Sequence, residues 1–393
     1  MRQALSGIKV VDLTEALAGP YCTMLLGDMG AEVIKVERLE GDMQRKTGAK
    51  IGDESAYGLY PNRNKRGITL NLKDERARNI LLQLVKDADV VVENFRPKVK
   101  FRLNIDYETL REINPRLVYC SISGFGQTGP WADRPGFDQV AQGMSGLMSV
   151  TGFPAQGPTR VGVAIGDSVC ALFAAYGILG ALMERERSGE GQWLHASLLE
   201  GLVALLGYQA ANYFATGEVP AQAENDHGAY APYGTYKTKD GYMNITVGTD
   251  RMWVILCEKL GVPELVNEPK FATMLNRVNY RHEIREIFEE RLAKKTTDEW
   301  VNILADAGVA CGPIYNLKQV FTSEQVLHQE MLLEVEQARG GKMPMIGFPV
   351  KMSRTPCRVN ISPPYIGQHT DEVLRELEYS REEIKELRQA GVI

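Results

Sequence analysis

The alternation of short β-branched runs with helical stretches over the first 125 residues constrains this chain more than any other feature. Residues 8–13 (IKVVDL) read as a strand. Residues 20–29 (PYCTMLLGDM) read as a helix with proline in its first turn, and 32–37 (EVIKVE) as a second strand. A third strand is predicted at 67–72, followed by a helix over 74–88 with Leu81, Leu82, Leu84 and Val85 on its apolar side. Residues 90–93 and 117–123 (LVYCSIS) continue the pattern. Parallel strands need crossover connections of about this length, so the pattern dictates a parallel sheet with helices on both faces. The expected fold class is α/β, with a doubly wound, Rossmann-like large domain and a smaller α+β domain.

The domain boundaries follow from where the alternation stops. A helix is predicted over 197–216, and the polar stretch 217–228 (GEVPAQAENDHG) reads as a linker. Strands at 233–238 and 242–247 flank Lys239, Asp240 and Gly241, a hairpin signal, and helices follow at 250–260, 281–293 and 297–307. A last strand is predicted at 332–337. The charged repeat SREEIKELRQ falls in a helix over 370–390 with a solvated face. The expected organisation is a large domain at 1–216, a linker at 217–228, a small domain at 229–320, and a segment at 321–393 returning to the large domain.

Composition excludes several function classes. The 393 residues carry a formal charge of −5 with no Lys/Arg block, which argues against a nucleic-acid surface. Asp167, the glycines and Glu184 bound the longest apolar run, which reads as too short for a membrane span. No signal-peptide core precedes the first strand, so a cytoplasmic location is expected. The six cysteines are scattered without a CxxC. None of the five histidines has another at i+4, so neither a disulfide framework nor a metal site is expected.

One carboxylate stands out. Asp167 directly precedes a run rich in Ala, Leu and Phe that ends in Glu184-Arg185-Glu186-Arg187. The run reads as a long helix. Val169, Leu172, Phe173, Tyr176, Leu179, Leu182 and Met183 leave no polar face, so it is expected to be buried throughout. An Asp at the mouth of such a helix has two compatible readings. It caps the helix by accepting an orphan backbone N–H. It is also a nucleophile toward an activated acyl group, with Gly162 and Gly166 letting a substrate approach closely. A literal GxGxxG at Gly124, Gly126 and Gly129 is followed by Pro130 and opens no helix, so it is a glycine-rich loop rather than a dinucleotide site.

Several segments together resemble the class III CoA-transferases, the CaiB/BaiF type that includes formyl-CoA transferase and carnitine CoA-transferase. They are LSGIKVVDLTEALAGPYCTMLLGDMGAEVIKVE at the start, ENFRP at 93–97, SISGFGQTGP at 121–130 and RPGFDQVAQGMSGLMSVTG at 134–152. AIGDS at 164–168, GEGQ at 189–192, PYGTYKTKDGY and IGQHTDEVL complete the set. The resemblance implies that Asp167 is the nucleophile, forming a mixed anhydride and then an aspartyl-CoA thioester, with no metal or permanently bound cofactor. Coenzyme A and its acyl thioesters are then substrates. It further implies CoA contacts at Leu17, Ala18, Arg38, Asn71, Leu72, Lys73, Asn94, Phe95, Arg96, Arg102, Phe137 and Asp138. The implied assembly is an interlocked homodimer.

Departures from the family pattern are also legible. Members acting on formyl and oxalyl groups carry Gln where this chain has Leu17, and they carry a run of consecutive glycines. HGAYAPYG (227–234) is the nearest counterpart here, which points away from those acyl groups. His195 stands where the family usually has Asp and reads as a core or cap residue. The α-methylacyl-CoA racemases share the fold but use a His-Asp pair after RPG, where this chain has Phe137-Asp138; a phenyl ring moves no proton. A non-catalytic CoA-binding subunit of a mixed oligomer is the third reading, and Asp167 argues against it. The expected partners are an acyl-CoA and a small organic acid, with succinyl-CoA or acetyl-CoA as donors. Leu17, Phe137, Met144 and Met148 read as either an acyl pocket or core.

Overall fold

A computed structural model of the chain describes residues 2–393. The chain divides into two compact units. The first comprises residues up to Leu147, Val161–Ala211 and Gln325–Ile393; the second comprises Met148–Arg160 and Asn212–Glu324.

The first unit is built on a six-stranded sheet. Its strands are β1 (Lys9–Asp12), β2 (Glu32–Glu37), β3 (Lys65–Thr69), β4 (Val90–Glu93), β5 (Val118–Ser123) and β6 (Trp193–Ser197). The order is β3-β2-β1-β4-β5-β6 and every pairing is parallel. Alternate side chains feed opposite faces, as the pleat requires. Val11, Val36, Ile68, Val91 and Tyr119 join a core with α2 (Glu75–Lys86) and the C-terminal residues Val373, Leu374, Ile384, Leu387, Val392 and Ile393. Val10, Val33, Val90, Val92, Val118 and Cys120 join a second core on the other face, with α1 (Ala18–Asp28) and the long helix that follows Ala164. Both faces of the sheet are covered, which is what a parallel sheet demands.

This order reverses direction between β1 and β4. Ligands of open α/β sheets bind at such a switch, outside the carboxyl ends of the strands, because the two flanking loops there diverge to opposite faces. The loop after β1 and the loop after β4 are fastened together: the Glu15 amide donates to Asn94 Oδ1 (2.9 Å) and Asn94 Nδ2 donates back to the Glu15 carbonyl (2.8 Å).

Five sequence expectations need correction. The edge strand β6 (WLHAS) carries no signal beyond five alternating residues and lies in a stretch the sequence leaves unassigned. The helix expected over 197–216 breaks at Gly207, whose φ is 45°. The helix expected over 370–390 is two, Thr370–Glu376 and Arg381–Gln389, separated by Glu378 at φ 69°. The second starts with a capping box, in which Ser380 and Glu383 satisfy each other's backbone N–H. The stretch 217–228 is no free linker. Gln222 Nε2 donates to the Thr151 and Gly157 carbonyls, and Glu224 and Asp226 form bridges with Gly152 and Gly234.

The last correction concerns the long helix. In the order α3 (Pro97–Leu103), α4 (Asp138–Met144), α5 (Ile165–Ser188) and α6 (Leu198–Leu205), α5 is the longest, and it is buried on one side only. Cys170, Ala174, Ile178 and Ala181 join the core beneath the sheet, whereas Leu172, Phe173, Tyr176 and Met183 are 52, 44, 76 and 67% exposed. An 18-residue window of α5 has a mean hydropathy of 1.7, so by length and composition it is apolar enough to cross a membrane, contrary to the sequence reading. Its inner half is packed on α1, α6 and the sheet.

The second unit centres on a three-stranded antiparallel sheet of β7 (Tyr233–Lys237), β8 (Tyr242–Thr246) and β9 (Ala310–Pro313), in the order β9-β8-β7. Trp253, Phe271 and Phe288 form its core with helices Asp250–Leu260, Arg281–Leu292 and Thr297–Asp306.

Candidate active site

Beneath the switch lies a cluster of buried charge that shapes the loop after β1. Asp12, the last residue of β1, is fully buried. Its Oδ1 accepts from the Thr14 amide (2.9 Å) and Thr14 Oγ1 (2.5 Å), and its Oδ2 accepts from Thr23 Oγ1 (2.6 Å) and Lys65 Nζ (3.0 Å). Burial alone would raise this carboxyl; Lys65 and Lys35 overcome it and hold Asp12 below the usual carboxylate range. The same burial pushes the Lys65 ammonium down to about 8 against the attraction of Asp12. Lys35 Nζ donates to the Thr14 carbonyl (2.7 Å) and lies 3.6 Å from Asp42. Asp42 in turn accepts from the Ala16 amide (3.1 Å). Ala16 has φ 65°, a left-handed conformation that a residue with a Cβ adopts only when its surroundings hold it there.

The consequence is the placement of the first turn of α1. Its N-cap, Leu17, offers no side-chain acceptor, so the orphan amides of that turn face the site. Gly19 is required by close approach: a Cβ there would lie 2.3 Å from Thr14 Cβ. The Ala18 amide lies near the Asp167 carboxylate and favours its ionised form.

Asp167 is the third residue of α5, and Ala164 occupies the cap position. Its carboxylate therefore lies beside the first turn of another helix and does not hold the cap position of its own. The positive ends of α1 and α5 both face it. Burial, then the nearby charge of Asp138, raise its pKa to about 6 against the pull of the Ala18 amide. At neutral pH it is mostly ionised while still close to its titration range.

Asp138 occupies a different place from the one the resemblance implies. It lines neither of the cavities described below; it is buried and engaged within the protein. Its Oδ1 accepts from the Gly166 amide (2.8 Å) and its Oδ2 from Gln142 Nε2 (2.8 Å). Gln142 Oε1 accepts from the Val161 amide (2.9 Å), so this pair braces the loop that delivers Asp167. Replacing Asp138 by Asn removes the like charge and keeps an acceptor for the Gly166 amide, while its amide nitrogen cannot accept from Gln142 Nε2. The Asp167 pKa is then expected to fall. Any activity that requires ionised Asp167 is expected to decline below pH about 6 in the wild type, and in Asp138→Asn that acid limb is expected to move to lower pH. A pH–kcat/KM profile of both proteins checks this, and an unmoved limb would show that Asp138's charge does not reach Asp167.

Two cavities open at the carboxyl ends of the strands. One, of about 310 Å³, is lined by Asp167, Leu17, Ala18, Asn94, Phe95, Arg96 and Phe137, and also by Ala16, Met43, Gly124 and Arg134. The other, of about 440 Å³, is lined by Arg38, Asn71, Leu72, Lys73, Phe95 and Arg102. Glu15 and Phe95 border both. All the sequence-predicted contacts except Asp138 thus fall on these two cavities. Arg38 is already engaged there: its Nε (2.9 Å) and Nη2 (2.5 and 2.7 Å) hold the Glu15 carboxylate in a fork. Asn71 is tied to the C-terminus, its amide donating to the Val392 carbonyl (2.8 Å).

Sequence reasoning missed Glu15, Ala16, Arg134 and Gly136. Gly136 packs on Gly124 so closely that a Cβ on either would lie 2.6–2.7 Å from the other's Cα. That contact folds the segment 131–137 back onto the loop after β5. Two glycines twelve residues apart were its only sequence signal. Met144 and Met148 line neither cavity. His195, on the edge strand, tilts against Trp193 with ring centroids 5.9 Å apart. Among the described residues no group of three or more His, Cys, Asp or Glu is arranged to hold a metal ion.

Comparison with known proteins places these features in a family. The family model described as CoA-transferase family III matches residues 5–370. The chain is 41% identical over 392 residues to succinyl-CoA:glutarate CoA-transferase of Homo sapiens, covering 99% of this chain and 90% of that protein. It is 41% identical over 349 residues to acetyl-CoA:oxalate CoA-transferase of Acetobacter aceti, covering 88% of each. Among solved structures, a CAIB/BAIF family protein from Brucella suis is similar with a TM-score of 0.87. That protein is 37% identical, and the match covers 96% of this chain and all of that one.

Proposed function

This chain belongs to CoA-transferase family III and is a CoA-transferase; we propose that it moves CoA between two small dicarboxylic acids through covalent intermediates on Asp167. The observation that carries the reading is the setting of Asp167: a nearly neutral-pKa carboxylate in a cavity at the sheet's switch, with the Ala18 amide and two helix N-termini around it.

The chemistry balances without a proton donor. An Asp167 oxygen attacks the donor thioester carbonyl and the C–S bond breaks, giving a mixed anhydride and CoA thiolate. The thiolate attacks the Asp167 carbonyl carbon, the anhydride C–O bond breaks, and the donor acid leaves as its carboxylate. The acceptor carboxylate repeats these steps in reverse order, and Asp167 is regenerated. Each tetrahedral intermediate bears an oxyanion, and the amides of the first turn of α1 are the donors at hand to meet it. The second cavity, with Arg38, Lys73 and Arg102 on its rim, suits the phosphates of the CoA nucleotide, with the Arg38–Glu15 pair opening or sharing its charge. The relative whose name pairs succinyl with glutarate supports dicarboxylic acids as the exchanged pair; the acetyl-CoA:oxalate enzyme pairs a monocarboxylic donor with a dicarboxylic acceptor. Phe137 on the cavity wall offers no acid or base for a racemase.

Intact-protein mass spectrometry after incubation with short acyl-CoA thioesters tests the mechanism. A CoA-sized or acyl-sized adduct mapping to Asp167, absent from Asp167→Ala, is the expected result. No adduct with any donor, together with deuterium uptake at the α-carbon in heavy water, would sink it. We further propose that the chain forms a homodimer, which the uncovered apolar stripe of α5 supports.

A further inference from the structure

We infer that Arg134 is the residue that selects dicarboxylic acids, by taking the carboxylate at the end of the substrate away from the reacting carbonyl. The inference rests on the reading that acids exchange CoA on Asp167.

Four charged side chains line the cavity that holds Asp167: Glu15, Arg96, Arg134 and Asp167 itself. Glu15 is neutralised by the fork of Arg38. Neither Arg96 nor Arg134 has a carboxylate partner among the described residues. The cavity therefore carries more cationic charge than Asp167 balances. A monocarboxylic acid spends its one charge in the reaction, because its carboxylate becomes the thioester. A dicarboxylic acid keeps a second charge throughout, on the donor thioester and on the acceptor alike. Enclosing that charge without a cation would cost more than binding returns. One cationic subsite serves both acids, since they occupy the same place in turn.

Of the two free arginines, Arg134 is placed for this task. Its guanidinium lies over the Trp131 ring, 5.2 Å from the centroid, and Trp131 is braced edge-on by Phe125 at 6.0 Å. That contact holds the guanidinium in place over the ring, and a planar fork is what recognises a carboxylate in two-point fashion. The Gly124–Gly136 contact pins the segment that carries Arg134, with Phe137 beside it on the cavity wall. Arg96 lines the same cavity, next to Phe95, which borders both cavities, but among the described residues it has no aromatic ring beneath it to hold its fork.

The test compares glutarate with pentanoate, equal in chain length but lacking the second carboxylate, as acceptors for the wild type, Arg134→Gln, Arg134→Lys and Arg96→Gln. The wild type is expected to prefer glutarate in kcat/KM. Arg134→Gln collapses that preference by about 10–100-fold, through a rise in KM for glutarate that exceeds any for pentanoate, and Arg134→Lys recovers part of it. Formation of the Asp167 adduct from a saturating donor is measured on the same samples. If the wild type forms no adduct, the transfer reading fails. If the adduct forms but the preference is absent, survives in Arg134→Gln, or collapses instead in Arg96→Gln, the assignment to Arg134 is overturned.

Discussion

Replacing Asp167 by Asn is expected to abolish CoA exchange, by at least about 10³-fold, while making the protein more stable at neutral pH. The loss follows because the amide cannot attack a thioester, and no other carboxylate in the cavity is free to replace it; Glu15 is held by Arg38. The gain follows from the raised pKa. The fold binds a proton on Asp167 up to about pH 6, whereas the unfolded chain releases it near pH 4. Proton binding to the folded state is thus favoured, and that contribution is complete below pH about 4 and lost as the pH rises toward 6. Above pH 6 the ionised carboxylate is a standing cost. Two pKa units correspond to about 2–3 kcal/mol at most, less for a group still in part solvated. Denaturant unfolding of the two proteins at pH 7.5 and pH 4 checks the sign: the variant leads at the higher pH and the difference closes at the lower. Equal stability at pH 7.5 would mean that Asp167 is not destabilised by its setting, and retained exchange would remove it from the mechanism.

The second large effect is expected at Asp12. Asp12→Ala leaves Lys65 without its counter-charge and Thr14 without its acceptor, and leaves Thr23 only the longer contacts to the Gly19 and Pro20 carbonyls, all at full burial. Removing one partner of a buried ion pair costs about 3–5 kcal/mol, because the other charge remains in a dry site. Asp12→Asn keeps an acceptor for the two threonines but not the charge, and falls between. Since the Asp12 carboxyl is held below the usual range, its contribution is present above pH about 4 and lost as the pH falls further. Chemical denaturation at pH 7 measures the cost. A loss under about 1 kcal/mol would show that the lysines find other partners. The same variant is expected to lose activity beyond its loss of stability, because Thr14, Lys35 and Asp42 transmit the Asp12 cluster to Ala16 and so to the Ala18 amide.

Both effects depend on contacts that are distant in sequence. Asp12 is one letter in IKVVDL, reading as the end of an ordinary strand. Its partners Thr23 and Lys65 lie 11 and 53 residues away, and no periodicity connects them. Asp138 shows the same gap. The resemblance put it among the ligand contacts, but the fold turns it inward onto Gly166, where it braces the loop before Asp167 and, after burial, adds to the rise in the Asp167 pKa. For Arg134, composition gives only one more surface arginine. The contact of two glycines and the stack on Trp131 set its position.

What the sequence determined by itself was the layering. Strand and helix signals alternate at lengths that admit only crossover connections, so a parallel sheet covered on both faces follows from local propensity and chain geometry. The ends of five of the six strands, and with them the loops that line the two cavities, were therefore readable within a few residues, and Asp167 was conspicuous as a carboxylate beside an apolar helix. The tertiary structure alone decided the strand order, and hence the switch between β1 and β4 where the cavity opens. It alone decided that one side of α5 stays uncovered, since an apolar pattern records affinity for burial but not whether a partner surface is supplied by the same unit. And it alone decided which charges meet. Local pattern fixes which way a side chain can point, but electrostatic and hydrogen-bonding partners are chosen in space, by elements that the sequence holds far apart.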